Sequence, residues 1–383
     1  MVRGGAAVKK PLLSVVLCAF CLSAAQAQQI IENREKPLSV QSGRAVSLKE
    51  VMTIVEEGDA FYFQRPDLLH VGPDGSIFVT DRDQLLRFSP DGKFIRNYFK
   101  KGQGPGELYY VSDFSIHDKG LIVHNSYPSK IVWFDFEGKY VKDFSVRFSG
   151  GSLQFRCFHA GVYYFVKSAS PSLNSVAGME GIIEQLHVIL CAEEGVEGIE
   201  EFGSFPTKLF LKKAQGGGAG IMPLNKIISV PYQDKYMLIF HTPEYSIKLV
   251  DLEKREILRT FKRKYERVKT SPEEREGYRG GAMVNGKPVI APVPEFTADV
   301  VNLFVHDRDI WVATSTKNKE KSVLIDVFDF DGVYRDSFYL PLPEPPDKNI
   351  ARPAPHVVLG DFLYAIEKDA EGIYMIKKYK IGE

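Results

Sequence analysis

The sequence predicts an all-β protein, a six-bladed β-propeller of four-stranded antiparallel blades closed by an N-terminal strand. Three observations carry that expectation. Paired strands recur around tight acidic turns, a second kind of strand pair recurs upstream of them, and the last copy of the unit is one strand short while the N-terminal region carries a spare one.

The first pattern is seen in RFSPDGKFIRNY (87–98), WFDFEGKYVKDF (133–144), LVDLEKREILRTF (249–261) and VFDFDGVYRDSF (327–338). Each is an apolar, aromatic strand, a turn that usually ends in glycine, and an alternating strand. VILCAEEGVEGIEEF (188–202) is a looser fifth copy. The second pattern joins two apolar runs through a polar turn: LLHVGPDGSIFVTD (68–81), FSIHDKGLIVHN (114–125), FRCFHAGVYYFVK (155–167), ISVPYQDKYMLIFH (228–241), LFVHDRDIWVAT (303–314) and VVLGDFLYAIEK (357–368). Together they make a unit of four strands, A to D, repeating about every 45 residues, a period typical of propellers. The sixth unit runs out after GIYMIKKYKI (372–381), before its strand D. An unpaired edge is a liability, and AVSLKEVMTIVEE (45–57) has the length to fill it.

The chain has 383 residues, 44% hydrophobic and 12% aromatic, with 49 basic and 49 acidic side chains. This is the composition of a globular protein, and zero net charge provides no global field for drawing in nucleic acid or an anionic membrane. Residues 1–27 read as a secretory signal: Arg3, Lys9 and Lys10, an apolar run over 12–22, then Ala25-Gln26-Ala27 as the cleavage signature. The run is well short of the roughly 20 residues of a spanning helix. Cys18 and Cys21 lack the small preceding residue of a lipobox, so lipid anchoring is the lesser alternative. The mature chain, 28–383, is then one extracytoplasmic, periplasmic or secreted domain, expected as a monomer without an integral membrane segment. Its two cysteines, Cys157 and Cys191, fall on strands A and C of blade three with strand B between them. That places them about twice the 4.8 Å strand spacing apart, too far for a disulfide.

In RPDLLHVGPDGSIFVTD (65–81) and LLRFSPDGKFIRNYFKKGQGPGE (85–107), the chain resembles the NHL-repeat and TolB-like six-bladed propellers, especially the secreted 6-bladed β-propeller proteins of Bacteroidetes. Blade one matches best and blades three to six only in outline. The resemblance implies the fold and a secreted address. For most members it implies no established chemistry.

KKGQGPGELYY (100–110) carries the glycine density of a phosphate cradle, but no helix begins behind it and the Lys-Ser/Thr pair of a P-loop is missing. It reads as the crossover from blade one to blade two. In a propeller the D-to-A and B-to-C loops share one face. That face would display Arg65, Arg82, Gln103, Glu107, His124, Asn125, Tyr127, Lys167, His241, Glu244, Lys317 and Glu367. These form a mixed polar mouth that could bind a polar ligand or an envelope protein, or could be ordinary loop chemistry. His117, His159 and His306 sit near A-to-B turns on the opposite face. Turns of separate blades spread around the ring, whereas zinc needs ligand nitrogens about 2.0 Å away.

Residues 263–296 form an insertion between blades four and five, readable as a lid or as a helical excursion in which Thr270 or Ser271 caps and Pro272 starts the helix. The loop over 168–181 is a lesser candidate. Basic residues alternate with aromatics over 254–265 as on a guarded edge strand, and nucleic-acid binding is not expected. No G-x-S-x-G nucleophile motif is present. The leading expectation is a non-catalytic binding or scaffold propeller with no cofactor and no catalytic residues. The alternative, implied only by resemblance to NHL-type lyases and calcium-dependent lactonases, is a metal-dependent hydrolase or lyase.

Overall fold

The computed structural model describes residues 29–148, 152–168, 180–196, 198–213, 219–272, 274–275, 283–284, 287–288, 292–346 and 355–382. The expected signal, residues 1–27, lies outside them, as does nearly all of the 168–181 loop. No helix among the described residues is long and apolar enough to cross a membrane.

The chain begins with an arm of three strands, β1 (Gln29–Asn33), β2 (Arg44–Ala45) and β3 (Ser47–Ile54). Blade one is β4 (Pro66–Val71), β5 (Ile77–Asp81), β6 (Gln84–Phe88) and β7 (Phe94–Asn97). Blade two is β8 (Val111–His117), β9 (Gly120–Ser126), β10 (Ser129–Phe134) and β11 (Tyr140–Ser145). Blade three is β12 (Ser152–His159), β13 (Val162–Ser168), β14 (Gly181–Glu193), β15 (Glu200–Lys213) and an additional β16 (Ala219–Pro223). Blade four is β17 (Ile227–Tyr232), β18 (Tyr236–His241), β19 (Ser246–Asp251) and β20 (Glu256–Arg263). A small hairpin, β21 (Met283–Val284) and β22 (Lys287–Pro288), lies in the insertion. Blade five is β23 (Val300–His306), β24 (Asp309–Lys317), β25 (Val323–Phe328) and β26 (Tyr334–Leu340). Blade six is β27 (His356–Leu359), β28 (Phe362–Lys368) and β29 (Tyr374–Gly382).

The ring closes where the sequence placed the closure. β3 runs antiparallel to β29, from Ile54 opposite Ile376 to Ser47 opposite Gly382. The rest of the arm has a use that the repeat pattern did not reveal. β1 adds in parallel to the outer edge of blade four and β2 to that of blade five. Asn33 ties the arm down, donating from Nδ2 to the carbonyls of Lys262 and Gly332 and accepting the Tyr334 N–H on Oδ1. Blades four and five thereby carry five strands each, as blade three does through β16.

Sequence dictates which strands lie deepest. Every residue of β5 is buried, as are six of the seven in β9, because a second strand has a neighbouring blade on both faces and reads as a continuous apolar run. The outer β7 alternates between half-buried and exposed. Six apolar clusters among the described residues fill the six interfaces between neighbouring blades. The turns between third and fourth strands close on glycines in the left-handed region, at φ +85° for Gly92, +76° for Gly138 and +78° for Gly332, and in blade six the turn between β28 and β29 closes the same way on Gly372 at +89°, where a side chain would be strained. Asp135, Asp329 and Asp369 each accept the backbone N–H four residues on, which explains why the turn is acidic.

Blade three departs most from the repeat. Only the C-terminal half of β14, from His187 to Glu193, pairs with β13, whereas β14 and β15 pair from Cys191 opposite Glu200 all the way to Gly181 opposite Leu211. The surplus half forms an overhang, broadened by β16, and β21 of the insertion lies against β16. The insertion is pinned at its base by reciprocal backbone bonds between 268–270 and 295–297. Its first turn has the expected cap: the Glu274 N–H donates to Ser271 Oγ and the Ser271 N–H to the Glu274 carboxylate, a capping box.

Cys157, Tyr164 and Cys191 lie side by side on β12, β13 and β14, so an aromatic strand separates the two thiols. Both are free and buried, and burial pushes Cys157 up to about 12. A thiol reagent is therefore expected to find two groups in residues 28–383 only after denaturation, without reductant. Finding none in the denatured chain would overturn this register.

Candidate functional site

The first strand of each blade faces the axis, and the six together enclose a channel of about 1880 Å³. Its ends differ in charge. Among the described residues, where the first strands begin, Arg65, Arg82 and Lys226 line it against the single carboxylate of Asp67; where they end in A-to-B turns, Asp74, Asp118 and Asp234 do. Midway, Arg156 Nη1 holds Asp113 Oδ2 at 2.9 Å, and His70 Nε2 stands 4.0 Å from Asp113 Oδ1. Burial, aided by the Arg156 charge, pulls the His70 pKa down to about 4. Burial likewise lowers His356 to about 4, and His187 to about 4 with help from the His241 and Arg156 charges. The three imidazoles are neutral at pH 7, so they bring hydrogen-bonding capacity rather than charge to the wall. Among the described residues, Gln185 Nε2, Ser229 Oγ and His356 Nε2 are buried without a hydrogen-bond partner, and all three residues line the channel. Unpaired buried polar atoms are uncommon in folded proteins.

All twelve residues expected at the mouth lie at the predicted end of the blades, but the structure brings only Arg65 and Arg82 to the channel wall. His124 and Asn125 are fully buried in the framework. Asn125 Oδ1 accepts the N–H groups of Tyr109 and Tyr110 at 2.7 and 2.9 Å, and its Nδ2 donates to the Pro128 carbonyl. His124 Nδ1 meets Ser112 Oγ at 2.7 Å. Asp81 and Thr242 do the same work in blades one and four, accepting the N–H groups of Gln64 and Arg65, and of Lys226. Polar side chains at these strand ends thus anchor the chain as it enters the next inner strand.

The glycine-rich stretch is a corner. Glu107 accepts the Gly104 N–H at 3.1 Å and pairs with Lys100 at 3.0 Å, while the Gly104 carbonyl accepts from Lys130 Nζ. A Cβ on Gly102 would come within 2.0 Å of the Glu107 carboxylate. Gln103 is exposed, as is Tyr127, whose ring meets that of Tyr109 edge-on. Lys167 faces Glu201 at 3.6 Å, and Glu367 accepts from the Tyr379 hydroxyl. His241 is half-buried and lies near Glu244 in the blade-four turn, while Lys317 is exposed at the end of β24. His117, His159 and His306 stay apart, against Asp118, Glu253 and Trp311 respectively. Among the described residues no three His, Cys, Asp or Glu side chains are grouped to hold a metal.

Sequence reasoning missed the channel's own polar residues, His70, Asp113, Arg156, Gln185, His187 and Lys226. The available signal was a charged or imidazole side chain interrupting an apolar first strand, as in LLHV, SDFS and QFRCF.

Residues 47–174 match the family described as 6-bladed beta-propeller (DUF5128). Among solved structures, a Bacteroides fragilis protein described as a "Putative exported protein" is 12% identical, with 93% of this chain and 100% of that one covered at a TM-score of 0.49. A gluconolactonase from Xanthomonas campestris is 10% identical over 89% and 98% at 0.43, and the Neurospora crassa Pan2 WD40 domain 7% over 90% and 97% at 0.42. No curated protein matches the sequence. The chain is a six-bladed β-propeller, closed by its N-terminal strands, whose first part matches the family described by that fold.

Proposed function

We propose that this is an extracytoplasmic, non-catalytic binding propeller that takes a polar ligand, or a polar segment of an envelope protein, into the basic end of its central channel. The observation that carries this reading is the channel itself, on whose wall, among the described residues, Gln185, Ser229 and His356 each carry a buried polar atom without a partner. Its volume of about 1880 Å³ exceeds the roughly 300–1,000 Å³ of sites for drug-sized molecules, which favours an extended ligand. The leader-like residues 1–27 support the address.

The test compares residues 28–383 with a Ser115→Trp variant, which plugs the channel from β8. Each is immobilised and exposed to envelope extract of the producing cell, and what is retained is identified by mass spectrometry. A molecule held by the parent, lost by the variant and released unchanged is the expected result. Equal retention would sink the channel as the site, and release of a chemically altered molecule would sink the non-catalytic reading.

A further inference from the structure

The channel wall where blade three meets blade four carries a positive charge without its counter-charge. Lys226 lines the channel just before β17, its backbone fixed by the 3.0 Å bond to Thr242 Oγ1. Its ammonium has no ion pair or hydrogen bond among the described residues, and burial alone pulls its pKa down to about 8. Of the other charged groups on the channel wall, Asp113 is held by Arg156 at 2.9 Å.

The overhang of blade three brings a second donor to the same wall. Gln185 pairs across the ladder with Thr207. The next residue, Lys208, donates its N–H to Asn225 Oδ1 at 2.7 Å and accepts the Leu224 N–H at 2.9 Å. Gln185 is thus joined through one strand to the segment that carries Lys226. It is only 7% exposed, lines the channel, and its Nε2 has no partner. His187, two residues along and so on the same strand face, lines the channel as well. An ammonium and an amide, both lacking acceptors, suit an oxyanion, because charge-assisted bonds to carboxylate or phosphate oxygens satisfy both at once.

We propose that this wall is an oxyanion subsite, in which Lys226 and Gln185 receive a carboxylate or phosphate group carried by the channel's ligand. The proposal rests on reading the channel as the binding site. It also gives the overhang a purpose, that of delivering Gln185 to a wall the regular repeat does not reach.

Calorimetric titration of residues 28–383 at low ionic strength, with inorganic phosphate and separately with succinate, tests it. Saturable binding of at least one is expected; which of the two binds identifies the group. Lys226→Met should weaken binding about tenfold or more, Gln185→Leu less, and Lys226→Arg should retain it. The melting temperature of Lys226→Met without anion should equal or exceed the parent's, because the change removes an uncompensated, half-buried charge. Saturation by neither anion, or equal affinity in Lys226→Met, overturns the subsite. If Lys226→Met still captures the envelope molecule that Ser115→Trp loses, the channel reading stands and the subsite alone falls.

Discussion

Deleting residues 47–54 is expected to turn a soluble, cooperatively melting ring into an aggregating chain. Two interfaces lose material together. Ile54 is buried in the cluster between blades six and one, with Met52 packed against it, while Leu48 packs against the cluster between blades five and six. Each fully buried aliphatic side chain contributes about 1.5–3 kcal/mol, and the ladder to β29 goes with them. A total stability of about 5–15 kcal/mol does not survive that loss with margin. The deletion also bares the edge of β29, a template for pairing with another chain. Ile54→Ala, costing about 2–5 kcal/mol, should still fold. Size-exclusion chromatography and a melting curve decide it: a monomeric truncation with a single sharp transition would refute the closure.

The point substitution with the largest expected cost is Asp326→Ala. Asp326 is fully buried on β25 and accepts three bonds, from Tyr245 Oη at 2.5 Å, Tyr334 Oη at 2.6 Å and Arg263 Nε at 2.7 Å. The Arg263 guanidinium also lies about 5 Å from the ring centres of Tyr245, Tyr265 and Tyr334. Burial pushes the Asp326 carboxyl up, against the Arg263 charge and the three donated bonds. Removing the carboxylate strands the guanidinium and two phenols in the interface between blades four and five, a loss of about 3–5 kcal/mol. The exposed pair between Lys101 and Asp83, 2.7 Å apart, makes the contrast, because breaking it by Lys101→Ala should cost less than about 1 kcal/mol. Denaturant unfolding of both variants at pH 7 checks the pair of values, and an Asp326→Ala variant within about 1 kcal/mol of the parent would refute the assignment.

What the sequence made legible is what repeats. The glycine-closed turns at Gly92, Gly138, Gly332 and Gly372, the buried second strands and the missing sixth strand D each occur in a local pattern that one chain segment carries by itself. The rest depends on partners far away in sequence. QIIEN (29–33) has no alternation that announces a parallel strand, and becomes one because β20 offers an open edge. The overhang of blade three continues the ordinary alternation of β14 and β15, so its surplus length shows only once β13 is seen to stop at Ser168 opposite His187. The site followed the same rule. Loop position told which end of a blade a residue occupies but not its distance from the axis, so Arg65 and Arg82 came to the channel while Asn125 and Glu107 turned inward to hold the chain.

The arm also sets an order of events. The strands that leave the ribosome first, β1, β2 and β3, are the ones that finish blades four, five and six: Gln29 waits for Arg259, Arg44 for Phe338 and Ile54 for Ile376. Contacts so distant in sequence are slow to form and leave strand edges exposed in the meantime. Through most of synthesis the nascent chain must therefore keep its earliest segment unpaired, and the ring locks only when its final strand arrives. Such a chain matures all at once and late, because no blade from the fourth onward is complete at its edge until the earliest strands have found partners made long after them.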